Sequence, residues 1–152
     1  MNMKKILSSL LFLAISCFFA SCSETIARKR CEYFATKTLS DVRVLYPNVK
    51  ITDREVLFDN DKVFVCRYHY GTEYISNNTG VDKTDMYSQV YVYFVGEGQN
   101  KDMLGIYSSA EFQQAYVLGE SINKGKALAE ACRMLMLSNS REIDKSEIKN
   151  LK

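Results

Sequence analysis

Tyr87-Ser88-Gln89-Val90-Tyr91-Val92-Tyr93-Phe94-Val95 decides the fold. β-branched and aromatic residues fill this run, which suits a pleated, packed surface better than a helix. Side chains alternate along a strand, so Val90, Val92 and Phe94 share one face, and Tyr87, Gln89, Tyr91 and Tyr93 share the other. The first set reads as core. The second is amphipathic, rings that carry hydroxyls, and suits a half-wet contact with a glycan, a peptide or a protein. Tyr87, Tyr91 and Tyr93 are therefore the candidate binding surface, continued by Tyr68, Tyr70 and Tyr74 upstream. A competing reading has two C-terminal helices covering these rings, with the hydroxyls bonded internally, because both sheet faces are apolar enough to be packed.

Working outward, residues 54–58 and Val63 to Tyr70 read as two further strands joined by the turn Asp59-Asn60-Asp61. A longer loop through Asn77-Asn78-Thr79-Gly80, Asp82 and Lys83 precedes the central strand. Gly96-Glu97-Gly98 then turns the chain into a short fourth strand, Met103 to Tyr107. Short connections make these antiparallel neighbours in a meander. Upstream, Ile26, Cys31, Phe34, Thr38, Val42 and Leu45 give a helix one apolar stripe, and Pro47 ends it. Downstream, Ser108 and Glu111 form a capping box, with Phe112, Ala115 and Tyr116 as the packing face. A second helix follows Gly119 and runs to Ser138, with Leu128, Ala131, Cys132 and Leu135 on its stripe. The polar stretch from Asn139 to Lys152 reads as a frayed helical extension.

The expected fold class is α+β: an N-terminal helix, a three- to four-stranded antiparallel meander and two C-terminal helices. In this order of elements, residues 24–138 loosely resemble the cystatin-like and nuclear-transport-factor-like rolls. The resemblance is topological, and Gln89-Val90-Tyr91-Val92-Tyr93 lacks the valine–glycine arrangement of a cystatin inhibitor. Fold analogy of this kind assigns no function.

The N-terminus carries its own pattern. Lys4 and Lys5 precede the apolar run Ile6 to Ala20, which is too short for a comfortable membrane-spanning helix, and Phe19-Ala20-Ser21-Cys22 closes it. The arrangement resembles a bacterial lipoprotein signal, in which small residues precede a cysteine that is lipidated and becomes the mature N-terminus. The thiolate is the nucleophile that thioether formation requires. The resemblance implies a signal peptide at 1–21, lipid on Cys22 and, with Ser23 where an aspartate would hold the protein in the inner membrane, an outer-membrane address. A single domain at 22–138 and a polar C-terminal tail at 139–152 complete the expected organisation. Helical patterning starts almost directly after Cys22, which places the domain close to the membrane.

Removing residues 1–21 from the 152 leaves 131, enough for one domain with a real core. Loss of Lys4 and Lys5 takes the 20 basic residues to 18, equal to the 18 acidic ones. Balanced charge and export together exclude a nucleic-acid partner, including the double-stranded-RNA-binding domains whose helix–strands–helix order is similar. Arg28-Lys29-Arg30 reads either as a solvated helix face or as a contact with anionic headgroups. Beyond Cys22, the thiols Cys31, Cys66 and Cys132 allow one disulfide with one free cysteine, or three buried thiols.

No motif names a reaction. His69 is the only histidine, and its odd separation from Cys66 puts the two on opposite strand faces, where they form no nucleophile–base pair. Asp59-Asn60-Asp61 lacks the glycine and distal glutamate of a calcium loop and reads as a turn. No cofactor, metal or catalytic group is expected. The resulting reading is a non-enzymatic outer-membrane lipoprotein, anchored by its lipid and acting as an accessory module for another envelope protein. A small glycan- or ligand-binding roll is the alternative, and an enzyme comes third.

Overall fold

The computed structural model describes residues 24–77, 80–122, 127–149 and 151, so Cys22 and the signal-like segment before it lie outside the described residues. The elements are α1 (Ile26–Arg43), β1 (Lys50–Asp59), β2 (Val63–Ser76), β3 (Gly80–Phe94), β4 (Asp102–Ser108), α2 (Ser109–Ile122), α3 (Ala127–Ser138) and β5 (Arg141–Ile143), then a 3-10 turn, Lys145–Ile148. The fold is α+β, with a helix, an antiparallel meander and a helix pair in the expected order. All five strands form one sheet in sequence order, β1-β2-β3-β4-β5. Among the described residues no helix is long and apolar enough to cross a membrane.

The sheet is covered on both faces. Thr25 caps α1, its hydroxyl accepting from the Arg28 N–H. Ala27, Cys31, Phe34, Ala35 and Leu39 follow at helical spacing and bury against Phe64, Cys66, Tyr68, Tyr70, Tyr91 and Tyr93. The expected stripe was displaced at its ends: Ile26 and Leu45 are exposed. On the other face, Phe112 and Ala115 of α2 and Ala131 and Leu135 of α3 cover Val65, Val90, Val92 and Tyr107.

Two features depart from the sequence reading. The stretch expected as a loop before the central strand is largely strand. β2 and β3 pair as far as Ser76 and Gly80, well beyond the last β1 pair, Lys50 with Gly71, and the first β4 pair, Ser108 with Gln89. Residues 72–76 and 80–84 therefore project as a two-stranded arm. Thr72–Thr84 and Ile75–Val81 face each other across its ladder, while the Glu73 and Lys83 side chains reach back to Lys50 and the Thr52 carbonyl of β1. Gly71, at the bulge where the arm begins, has no room for a side chain, since a Cβ there would lie 1.8 Å from the Thr84 carbonyl oxygen.

The second departure is the C-terminus. The predicted polar tail is not a helical extension: Arg141–Ile143 adds a fifth strand beside β4. Ile143 and Ile148 are buried in the α1-side core with Phe34 and Leu104. A hydrophobic side chain every few residues was enough to anchor an otherwise charged segment.

Asp102 ties these parts together. Its carboxylate is fully buried. It accepts from the Arg30 guanidinium of α1, from Tyr93 Oη at 2.6 Å and from the Gly96 N–H at 3.0 Å. One side chain thus fixes helix, central strand and the loop between β3 and β4.

Candidate functional site

The predicted tyrosine surface is interior. Tyr91 and Tyr93 have no exposure, and Tyr87 is half-buried, stacked on Tyr70 with ring centroids 4.9 Å apart. This corrects the binding-surface expectation, and the cover is α1 rather than the C-terminal helices. The hydroxyls of Tyr70, Tyr91 and Tyr93 are satisfied internally, whereas that of Tyr68 is buried without a hydrogen-bond partner among the described residues. Tyr70 Oη donates to the Ala35 carbonyl and lies 2.8 Å from Tyr91 Oη, and Tyr93 Oη donates to Asp102. Phe34 stacks on Tyr93 at 6.1 Å.

The histidine and the thiols are separated as their alternation implied. His69 Nδ1 lies 3.4 Å from Asp85 Oδ2, and Thr52 Oγ1 donates to the other Asp85 oxygen at 2.7 Å. Ser88 stands opposite His69 across the β2–β3 ladder, but its hydroxyl is paired with Ser109 Oγ at 2.7 Å. Cys31 and Cys66 are buried free thiols under α1, and Cys132 is a half-buried free thiol on α3. Burial pushes the Cys31 thiol well up, the Cys66 thiol up to about 12 and the Cys132 thiol up to about 11. All three stay protonated at neutral pH and are poor nucleophiles. Asp59-Asn60-Asp61 is a turn, in which Asn60 Oδ1 accepts the Lys62 and Val63 N–H groups. The Arg28-Lys29-Arg30 cluster is largely spent within the domain, Arg28 on Glu24 and Asp59 and Arg30 on Asp102.

These shifts give alkaline sensitivity a definite sign. Tyr91 and Tyr107 are also raised by burial, each to about 12. Their contribution is complete below the unfolded pKa values, roughly 8.5 for thiols and 10 for phenols. Above those values the unfolded chain sheds protons that the folded chain keeps, so stability falls as pH rises. Urea midpoints should be flat from about pH 7 to 8, then decline steadily from about pH 9 to 11.

The open site lies on the opposite face of the sheet from α1. Phe58, next to the end of β1, lies on this face, and Phe94 and Met103 are cross-strand partners on β3 and β4. The flank of α3, carrying Leu128, Met136 and Leu137, stands over them, and a cleft of about 570 Å³ separates the two walls. Phe58 and Phe94 are each 41% exposed and Leu137 is 75% exposed. Asn60, Arg133 and Ser140 add the polar part of the lining, with Arg133 held by Glu130 at 2.9 Å. Two methionines make the walls adaptable to an apolar guest.

None of these cleft residues was singled out as a site from the sequence. The available signal was in α3. Ala127-Leu128-Ala129-Glu130-Ala131-Cys132-Arg133-Met134-Leu135-Met136-Leu137 is apolar over most of its circumference, more than one packing face requires. No family model, curated protein or solved structure matches this chain.

Proposed function

We propose that this is a non-enzymatic binding domain, held at the outer membrane by lipid on Cys22, whose site is the cleft between α3 and the ends of β1, β3 and β4. The carrying observation is the cleft itself. Its volume of about 570 Å³ falls within the range of small-molecule sites, and its walls are mainly apolar, with Phe, Met and Leu as the large side chains. Among the described residues, the hydroxyls nearest the Asp85–His69 pair are engaged, Thr52 on Asp85 and Ser88 on Ser109, and the raised thiols stay protonated at neutral pH, which favours binding over catalysis.

Replacing Met136 by Glu tests the site. A carboxylate facing the cleft must be desolvated whenever an apolar guest enters. Affinity for an uncharged apolar dye such as N-phenyl-1-naphthylamine should drop roughly tenfold or more, about 1.4 kcal/mol. Unchanged dye binding with an intact fold would remove the cleft from consideration.

A second reading, an accessory module for another envelope protein, draws on the β2–β3 arm. Ile75 is 85% exposed and sits across the ladder from the exposed Val81, an apolar pair standing clear of the sheet. Cross-linking of the native membrane protein beside Ile75→Ser with Val81→Ser separates the two readings. A stoichiometric partner lost in the double variant, with dye binding retained, would favour the accessory role.

A further inference from the structure

The chain enters α1 at the end of edge strand β1 that also bears the cleft, on the other face of the sheet. Thr25 Oγ1 donates to Asp59 Oδ1 at 2.8 Å, and Arg28 pairs with the same carboxylate at 3.5 Å. Asp59 closes β1 between Phe58 and Asn60, and both of those residues line the cleft. The start of the helix is thereby pinned to the strand end that forms one cleft wall. Cys22 precedes Thr25 by three residues, and three residues of chain span at most about 10 Å. Any group attached to Cys22 begins that close to Thr25.

We propose that the cleft is a berth for one acyl chain carried on Cys22 of the same molecule. The proposal rests on the lipoprotein reading of the N-terminus and on the cleft being the ligand site. The chemistry matches. An acyl chain needs apolar contact and no hydrogen bonds, and Phe58, Phe94, Met103, Leu128, Met136 and Leu137 supply that contact. The tether chooses the source. A chain attached within a few residues competes at an effective concentration in the millimolar range, an advantage that a free fatty acid or a bilayer lipid lacks. Moving the chain from bilayer to cleft exchanges one apolar surrounding for another, so neither place incurs the cost of exposing it to water. The domain can then hold one of its own anchoring chains in or let it go, which makes the grip of the anchor adjustable.

Cys132 provides the probe, since it lines the cleft while Cys31 and Cys66 are buried on the far side of the sheet. The full chain and its Cys22→Ala variant are placed in nanodiscs of phosphatidylethanolamine and phosphatidylglycerol and treated with N-ethylmaleimide. Labelling of Cys132 should be at least tenfold faster in Cys22→Ala, and added sodium palmitate should slow it to the parental rate. Leu128→Glu in the lipidated chain should label fast with or without palmitate. Unlabelled Cys31 and Cys66 report an intact fold in each protein. The mass of the N-terminal peptide reports the lipid separately. Lipid on Cys22 with equal Cys132 labelling in both proteins overturns the proposal and leaves the lipoprotein reading standing. Equal labelling that palmitate slows in both proteins gives the cleft to an external acyl chain and overturns the tethered source. A Cys22 without lipid overturns the reading and the proposal together.

Discussion

Asp102→Ala should lower stability by about 3–5 kcal/mol, the usual effect of removing one partner from a buried ion pair. The substitution leaves the Arg30 guanidinium, Tyr93 Oη and the Gly96 N–H without their shared acceptor. Tyr93 is fully buried and has no route to water, while Arg30 keeps partial exposure. The melting temperature should fall by on the order of 10 °C. Asp102→Asn keeps the shape and one acceptor oxygen, and should cost less, about 1–3 kcal/mol. A loss below about 1 kcal/mol for the alanine variant would mean that the network does not join helix to sheet.

Ending the chain after Asn139 should be comparably damaging. The deletion strips β5 from β4 and removes Ile143 and Ile148 from the core around Phe34 and Leu104. Burial of each isoleucine contributes about 1.5–3 kcal/mol. Arg141, whose guanidinium lies 5.2 Å from the Phe34 ring centroid, goes as well. The expected loss is about 4–6 kcal/mol, close to the whole stability of a marginal domain, so the shortened protein should be largely unfolded or degraded. Removing only residues 149–152 should change stability by less than about 1 kcal/mol. The contrast, read by urea denaturation or limited proteolysis, distinguishes a tail that completes the fold from one that only follows it.

The sheet was legible because alternation is a local property. Val90 and Val92 could be assigned to one face and Tyr91 and Tyr93 to the other from their spacing alone. What covers each face is not local. Phe34 stacks on Tyr93 across a long stretch of intervening sequence, and no periodicity announces that pairing. The amphipathic tyrosines therefore read equally as surface or core, and their burial depends on α1 bringing Ala35 to accept from Tyr70. The arm was missed for a related reason. Asn77 through Lys83 is rich in turn residues, yet the opposition of Glu73 to Lys83 and Ile75 to Val81 appears only once the register is known. Ile143 sits in a three-residue strand, too short for any period to show. The cleft was the least legible feature, because it depends on how far α3 stands from the strand ends.

The attachment of α1 has a mechanical consequence. A pull on the chain at its N-terminus first reaches Thr25, which is bonded to the end of β1, and then Arg30, which is bonded to Asp102 at the start of β4. Peeling the helix away from that end requires breaking links to two strands before the tyrosine layer is uncovered. Tension applied there is spread across the width of the sheet from the first turns of the helix, so the domain resists being unzipped from its N-terminal end.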